Sequence, residues 1–144
     1  MTNHDCELCI QPGGEILFQA PLWRVVMADD AAYPGFCRVI WNAHVKEMTD
    51  LAPVERSELM MTVCKVESII REVMQPDKIN LASLGNMVPH LHWHIIPRFA
   101  NDVQFPAPIW AEPKRVTAPD ILTARQALLP SLRDTIMQRL SQSL

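Results

Sequence analysis

The sequence predicts an α+β domain: a five-stranded antiparallel sheet with a long central helix and a C-terminal helix packed on one side. Three observations predict it. Segments rich in β-forming residues fall in two groups, three before a long amphipathic stretch and two after it. That stretch carries apolar residues at helical spacing. The regular strand–helix–strand alternation of a doubly wound parallel sheet is absent, so the strands are expected to follow one another as an antiparallel meander.

Each element has a local reason. Cys6 to Gly14 is short, polar and turn-rich. Glu15 to Gln19 and Leu22 to Ala28 read as two strands separated by Ala20-Pro21. Asp29 to Gly35 is a loop ending on the turn signal Pro34-Gly35, and Cys37 to Trp41 alternates as a third strand. Thr49-Asp50 opens the helical region, where Pro53 suits the first turn because its missing N–H would be unpaired there anyway. Leu59, Val63, Val66, Ile70 and Val73 then line one face of a helix that ends near Gln75-Pro76. Cys64 lies within this helix and is expected as a small buried residue.

Lys78 to Leu84 reads as a fourth strand broken by Gly85-Asn86, and His90 to Arg98 as a fifth bounded by Pro89 and Pro97. Residues 99–118 are proline-rich and expected to run extended over the surface. Residues 119–144 form an amphipathic C-terminal helix through Leu122, Leu128, Leu129, Leu132, Ile136 and Leu140, which Pro130 should kink or split. Residues 1–144 thus read as a single domain whose core is residues 1–98.

Composition narrows the function. The 144 residues are 49% apolar, enough for a sizeable core, and carry a formal net charge of -3. No basic stripe offers a nucleic-acid surface. A small anionic substrate needs only a local site and remains compatible with an acidic chain. No run approaches the ~20 apolar residues of a membrane span, and the polar start does not read as a secretory signal, so the expected location is the cytoplasm. In a reducing compartment the four cysteines stay unpaired, and Cys6-Glu7-Leu8-Cys9 reads as metal-binding or redox-active.

The chemistry concentrates in Pro89-His90-Leu91-His92-Trp93-His94-Ile95-Ile96-Pro97. Strand side chains alternate, so His90, His92 and His94 share one face while Leu91, Trp93 and Ile95 share the other. Same-face neighbours lie roughly 6.5–7 Å apart along a strand, which is long for a single zinc to take all three with bonds of ~2.0–2.1 Å. A division of labour follows. Imidazole suits phosphoryl chemistry near neutrality: the neutral ring is a nucleophile and the protonated ring a donor to phosphate oxygens. One ring nitrogen must be held by an acceptor to leave the other free.

His90-Leu91-His92-Trp93-His94-Ile95-Ile96 matches every position of the His-φ-His-φ-His-φ-φ signature, φ being apolar, of the histidine triad (HIT) family, and from about Cys6 to Arg98 the chain resembles it. Asn80 and Gly85-Asn86-x-Val88-Pro89 sit where that family carries an asparagine and a Gly-Gln-x-Val segment, and Pro34-Gly35 matches its turn. The resemblance implies a HIT-like fold and a homodimer. His92 would attack the α-phosphorus to form a nucleotidyl-histidine, and His94 would donate to a non-bridging oxygen. Asn80 and Asn86 would orient phosphate oxygens, and Asp29 or Asp30 would accept from the ribose hydroxyls. A branch of the family implies a structural zinc on Cys6, Cys9, His44 and His90; His4, close to the pair, reads as a bystander that could substitute as a ligand. Phe36 and Met87 depart from the pattern, standing where many members carry histidine and a hydroxyl residue.

The implied activity is hydrolysis of a nucleoside monophosphate conjugate, such as a dinucleoside polyphosphate or a nucleoside phosphoramidate. A nucleotidyltransferase shares the first half of that reaction. A non-catalytic nucleotide-binding module is the reading outside enzymes, favoured by Phe36 and Met87. Among the remaining residues, Trp23, Trp41 and Trp93 read as core, Arg98 as solvated or ion-paired rather than meeting phosphate, and Trp110 as covered at a dimer interface rather than by a neighbour or a bound base.

Overall fold

The structure, a computed structural model, describes residues 3–142. Strands β1 (Glu15–Gln19), β2 (Trp23–Met27), β3 (Cys37–Trp41), β4 (Lys78–Ala82) and β5 (His92–Arg98) form one antiparallel sheet. A one-turn helix α1 (Glu7–Ile10) precedes it, and α2 (Pro53–Met74) links β3 to β4. Helices α3 (Pro119–Gln126) and α4 (Leu129–Ser141) follow.

The sheet order is β1-β2-β3-β5-β4, which departs from a simple meander. The first three strands do follow one another. The histidine strand then inserts between β3 and β4, leaving β4 at the edge. The α2 connection makes this possible, because it carries the chain past β3 and lets β5 return to pair with it. The strand that carries the chemistry is therefore held by hydrogen bonds on both sides.

One face of the sheet is the core. Trp23, Val25, Met27, Cys37, Val39, Trp41 and Ile95 pack against Leu59, Val63, Val66, Ile69 and Ile70 of α2 and Leu132, Ile136 and Leu140 of α4. Each fully buried aliphatic side chain contributes about 1.5–3 kcal/mol through the area it removes from water. The helical spacing read from the sequence is the stripe that packs. Cys64, however, is exposed rather than buried. It follows Val63 by one residue, and that ~100° step turns it off the apolar stripe.

The C-terminal helix is split, as expected, with Pro130 in the first turn of α4 where it costs no hydrogen bond. Strand ends differ from expectation: β2 is one residue shorter at each end, Trp23–Met27, and β4 stops at Ala82 rather than Leu84. β5 begins at His92, two residues late, because His90 N–H turns back to the Val88 carbonyl at 2.8 Å. Among the described residues, no helix is long and apolar enough to cross a membrane. Residues 99–118 lack regular structure but do not run extended throughout: residues 100–111 turn repeatedly. They are pinned nonetheless: Arg98, almost wholly buried, donates to Asp102 at 2.8 Å and to the Ala107 carbonyl at 2.7 Å.

Candidate active site and metal centre

The second face of the sheet carries the histidines. His92 pairs across the sheet with Ile40, and His94 with Arg38. Two small apolar clusters flank them. Cys6 and Leu8 cover Val26 and Ile40 on one side, and Tyr33 and Phe36 cover Ile96 on the other. Between them lies a groove of about 490 Å³, lined on its floor by His92, His94 and Arg38 and on its rims by Glu7, Gly13, Asn86 and Trp110.

The ring nitrogens are assigned by their partners. His92 Nδ1–H donates to the His90 carbonyl at 2.5 Å, so its Nε2 carries the free lone pair. This carbonyl is the acceptor that the sequence alone did not identify. Burial pushes the His92 pKa down; the His90 carbonyl opposes this and the Arg38 cation adds to it. His94 is held still lower, at about 4, by burial, His92 and Arg38. It stands edge-on to His92 at 4.9 Å and to Trp110 at 5.2 Å, and its buried Nδ1 has no hydrogen-bond partner. Both rings are therefore neutral near pH 7, the state a nucleophile needs.

His90 is turned the other way. Its Nε2–H donates to the Trp41 carbonyl at 2.5 Å, so the Nδ1 lone pair faces Cys6 Sγ at 3.4 Å and Cys9 Sγ at 3.5 Å. His44 Nδ1 approaches Cys9 Sγ at 3.4 Å. The four ligand atoms lie within 4.8 Å of one another. Tetrahedral zinc with Zn–S of ~2.3 Å and Zn–N of ~2.0–2.1 Å separates a sulfur from a nitrogen by about 3.6 Å. The donor set and its spacing fit such an ion, and the cluster could hold a metal. His4 is not part of it.

The remaining expected residues are placed less uniformly. Asn86 is exposed and lines the groove. Asn80 shares the histidine face of the sheet, but its Oδ1 accepts from Arg98 Nη1 at 2.7 Å, and it is not among the residues that line the groove. Asp29 is exposed, and Asp30 accepts the Ala32 N–H at 3.1 Å; both lie in the loop beside Phe36 and outside the groove lining. Phe36 is buried against His94 at 5.6 Å, while Met87 is 93% exposed at the rim. Trp41 and Trp23 are core residues; Trp93 packs partly buried against the same core. Trp110 meets His94 of its own chain, and Arg98 is ion-paired.

Arg38 was not singled out from the sequence. Strand alternation does set it on the opposite face from Cys37, Val39 and Trp41, which is the one available signal. Nothing local shows that this face is the histidine face, because that depends on β5 pairing with β3.

The fold is shared with solved structures. A histidine triad protein from Bradyrhizobium japonicum is 30% identical with a TM-score of 0.67, covering 85% of this chain and 93% of that one. A zinc-bound histidine triad family protein from Mycobacterium smegmatis shares the fold at 19% identity and a TM-score of 0.62, covering 96% of this chain and 97% of that one. The HIT domain matches residues 12–101, and the chain belongs to the HIT family.

Curated relatives are more distant in length. An asymmetrical bis(5'-nucleosyl)-tetraphosphatase from Schizosaccharomyces pombe is 31% identical over 91 residues, 60% of this chain and 50% of that one. An AP-4-A phosphorylase from Mycobacterium tuberculosis is 32% identical over 78 residues, 50% of this chain and 40% of that one. The chain spans about half the length of the curated relatives it matches.

Proposed function

We propose that the chain is a nucleotide phosphohydrolase that acts at the α-phosphate of a nucleoside monophosphate conjugate, a dinucleoside polyphosphate or a nucleoside phosphoramidate. The observation that carries this reading is the His92 ring: buried, neutral, tied at Nδ1 to the His90 carbonyl and free at Nε2. Nε2 forms a bond to phosphorus as the bond from phosphorus to the leaving group breaks, and the departing group takes a proton from solvent. Water then attacks the same phosphorus and the P–N bond breaks, releasing the nucleoside monophosphate and restoring His92. His94 donates to a non-bridging oxygen as charge builds there. Asn80 and Asn86 orient phosphate oxygens, and Asp29 or Asp30 receives the ribose hydroxyls.

The same first step serves a nucleotidyltransferase, and the relationship to a protein named AP-4-A phosphorylase keeps that reading open. The acceptor separates the two. With diadenosine tetraphosphate, water as acceptor gives AMP, whereas added phosphate as acceptor gives ADP. Trapping tests the shared step: radiolabelled diadenosine tetraphosphate should leave label on the wild-type protein and none on His92→Ala. Absence of adduct and product in the wild type would sink the enzyme reading and leave a nucleotide-binding module.

In this reading Cys6, Cys9, His44 and His90 hold a structural zinc that ties the N-terminal turn to the sheet. Elemental analysis should find close to one zinc per chain, and less than about a tenth of an equivalent rejects the site. In this reading the protein is a cytoplasmic homodimer; that none of its four cysteines is disulfide-bonded supports the compartment.

A further inference from the structure

The strands of the sheet carry three arginines, Arg24, Arg38 and Arg98, all at least partly buried, and two of them have an evident purpose. Arg24 donates to the carbonyls of Pro12, Leu8 and Gln11 and to Asn42 Oδ1, and so stitches the N-terminal segment to the sheet. Arg98 is paired with Asp102 at 2.8 Å and bound to Asn80 and the Ala107 carbonyl. Arg38 differs. Its half-buried guanidinium makes one hydrogen bond, from Nη1 to the Gly13 carbonyl at 2.8 Å, and lies 5.1 Å over the Phe36 ring. No carboxylate among the described residues lies within ion-pair distance of it; Asp30 and Glu7 act on it only from further away, and burial outweighs them.

A guanidinium has five N–H donors, and withdrawing its charge from water without a counter-ion is costly. Arg38 stands directly across the sheet from His94 and, among the described residues, is the only Lys or Arg that lines the groove. The Phe36 ring and the Gly13 carbonyl hold the guanidinium in the groove lining, and its other N–H donors have no protein acceptor among the described residues. Planar paired donors match the oxygens of a phosphate.

We propose that Arg38 is a phosphate-binding residue of this groove, and that a phosphate oxygen of the substrate supplies the contacting counter-ion it lacks. The inference rests on the groove being the phosphate site. It adds that affinity tracks phosphate rather than the nucleoside. Arg38 and the neutral imidazoles then have separate roles, since the guanidinium holds the fixed charge and His92 stays unprotonated beside it.

Equilibrium binding tests this apart from turnover. Titrate inorganic pyrophosphate, AMP and adenosine into wild type, Arg38→Gln and Arg38→Lys by calorimetry. Losing a hydrogen bond to a charged group should weaken pyrophosphate and AMP about ten- to a hundredfold in the Gln variant. Adenosine should change less than about twofold. The Lys variant keeps the charge but not the planar fork, and should lose about three- to tenfold.

Equal binding of pyrophosphate by wild type and the Lys variant, or by wild type and a folded Gln variant, overturns the proposal. So does a wild type that binds no pyrophosphate. If the Gln variant does not fold, the Lys variant alone decides. A wild type that binds pyrophosphate through Arg38 yet forms no nucleotidyl adduct would support this inference while defeating the hydrolase.

Discussion

His90 and His92 are two residues apart, yet the fold turns them into opposites. Each gives one ring N–H to a backbone carbonyl at 2.5 Å, but from different nitrogens. His90 spends Nε2 on Trp41 and presents Nδ1 to two thiols. His92 spends Nδ1 on His90 and presents Nε2 to the groove. Identical side chains on one stretch of chain thus receive different chemistry from the carbonyl within reach. The His90 carbonyl also links the two ends: what holds His90 in place holds the acceptor that orients His92.

The sharpest way to break this comparison is to remove each ring. His92→Ala should abolish turnover, by about 10⁴-fold or more as for other catalytic nucleophiles, while leaving metal content and melting temperature close to wild type. His90→Ala should do the reverse: zinc content and melting temperature fall together, and adduct formation slows without vanishing. If His92→Ala loses zinc, or His90→Ala keeps it, the two residues do not have separate roles. Stripping zinc with a chelator should act like His90→Ala. A tightly held structural ion lost to chelation costs about 3–4 kcal/mol, or roughly 10 °C in a domain of this size. Single-turnover adduct formation with the stripped protein measures how far the metal end supports the groove end.

A pH profile sharpens the groove end. Burial lowers the pKa of His92 and holds His94 at about 4. A depressed pKa means the proton leaves at lower pH, so both rings remain neutral as pH falls through the ordinary imidazole value of 6.5. Adduct formation should therefore hold through about pH 6.5 and decline only below it. An acid limb centred at or above roughly 6.5 would show that the rings are not desolvated as the fold implies. Stability linked to His94 has the same sign: it is fully present above about pH 6.5 and is lost as pH falls toward about 4.

What was legible in the sequence was what is local. The period-two histidines placed three rings on one face, and the spacing Cys6-x-x-Cys9 pointed to a shared ion. The apolar stripe of α2 was equally readable, apart from Cys64, because helical spacing is itself a packing instruction. What could not be read was partnership between distant segments. No residue of β5 states that it will lie beside β3 rather than next to β4 alone, so Arg38 could not be set opposite His94. The tautomer of each ring depended on carbonyls brought near by turns at Val88–His90 and at the end of β3. Trp110 was hidden for the same reason: a stretch of irregular chain separates it from the histidine strand, and the buried Arg98–Asp102 pair decides where that chain returns.

Trp110 supplies the mildest test of the same division. Its ring meets His94 edge-on at 5.2 Å while 53% of its surface remains exposed, so it belongs to the groove end and does not touch the metal cluster. An aromatic pair of this kind adds about 0.5–1.5 kcal/mol beyond simple burial, which corresponds to roughly a two- to tenfold effect. Trp110→Leu keeps an apolar side chain at the rim but removes the ring edge. It should lower kcat/KM for a dinucleoside polyphosphate about two- to tenfold, leave zinc content unchanged, and shift the acid limb upward, because water gains access to His94 and eases its protonation. A downward or absent shift would mean that Trp110 shields the substrate alone, and that the neutrality of His94 is set by Phe36 and the strand beneath it.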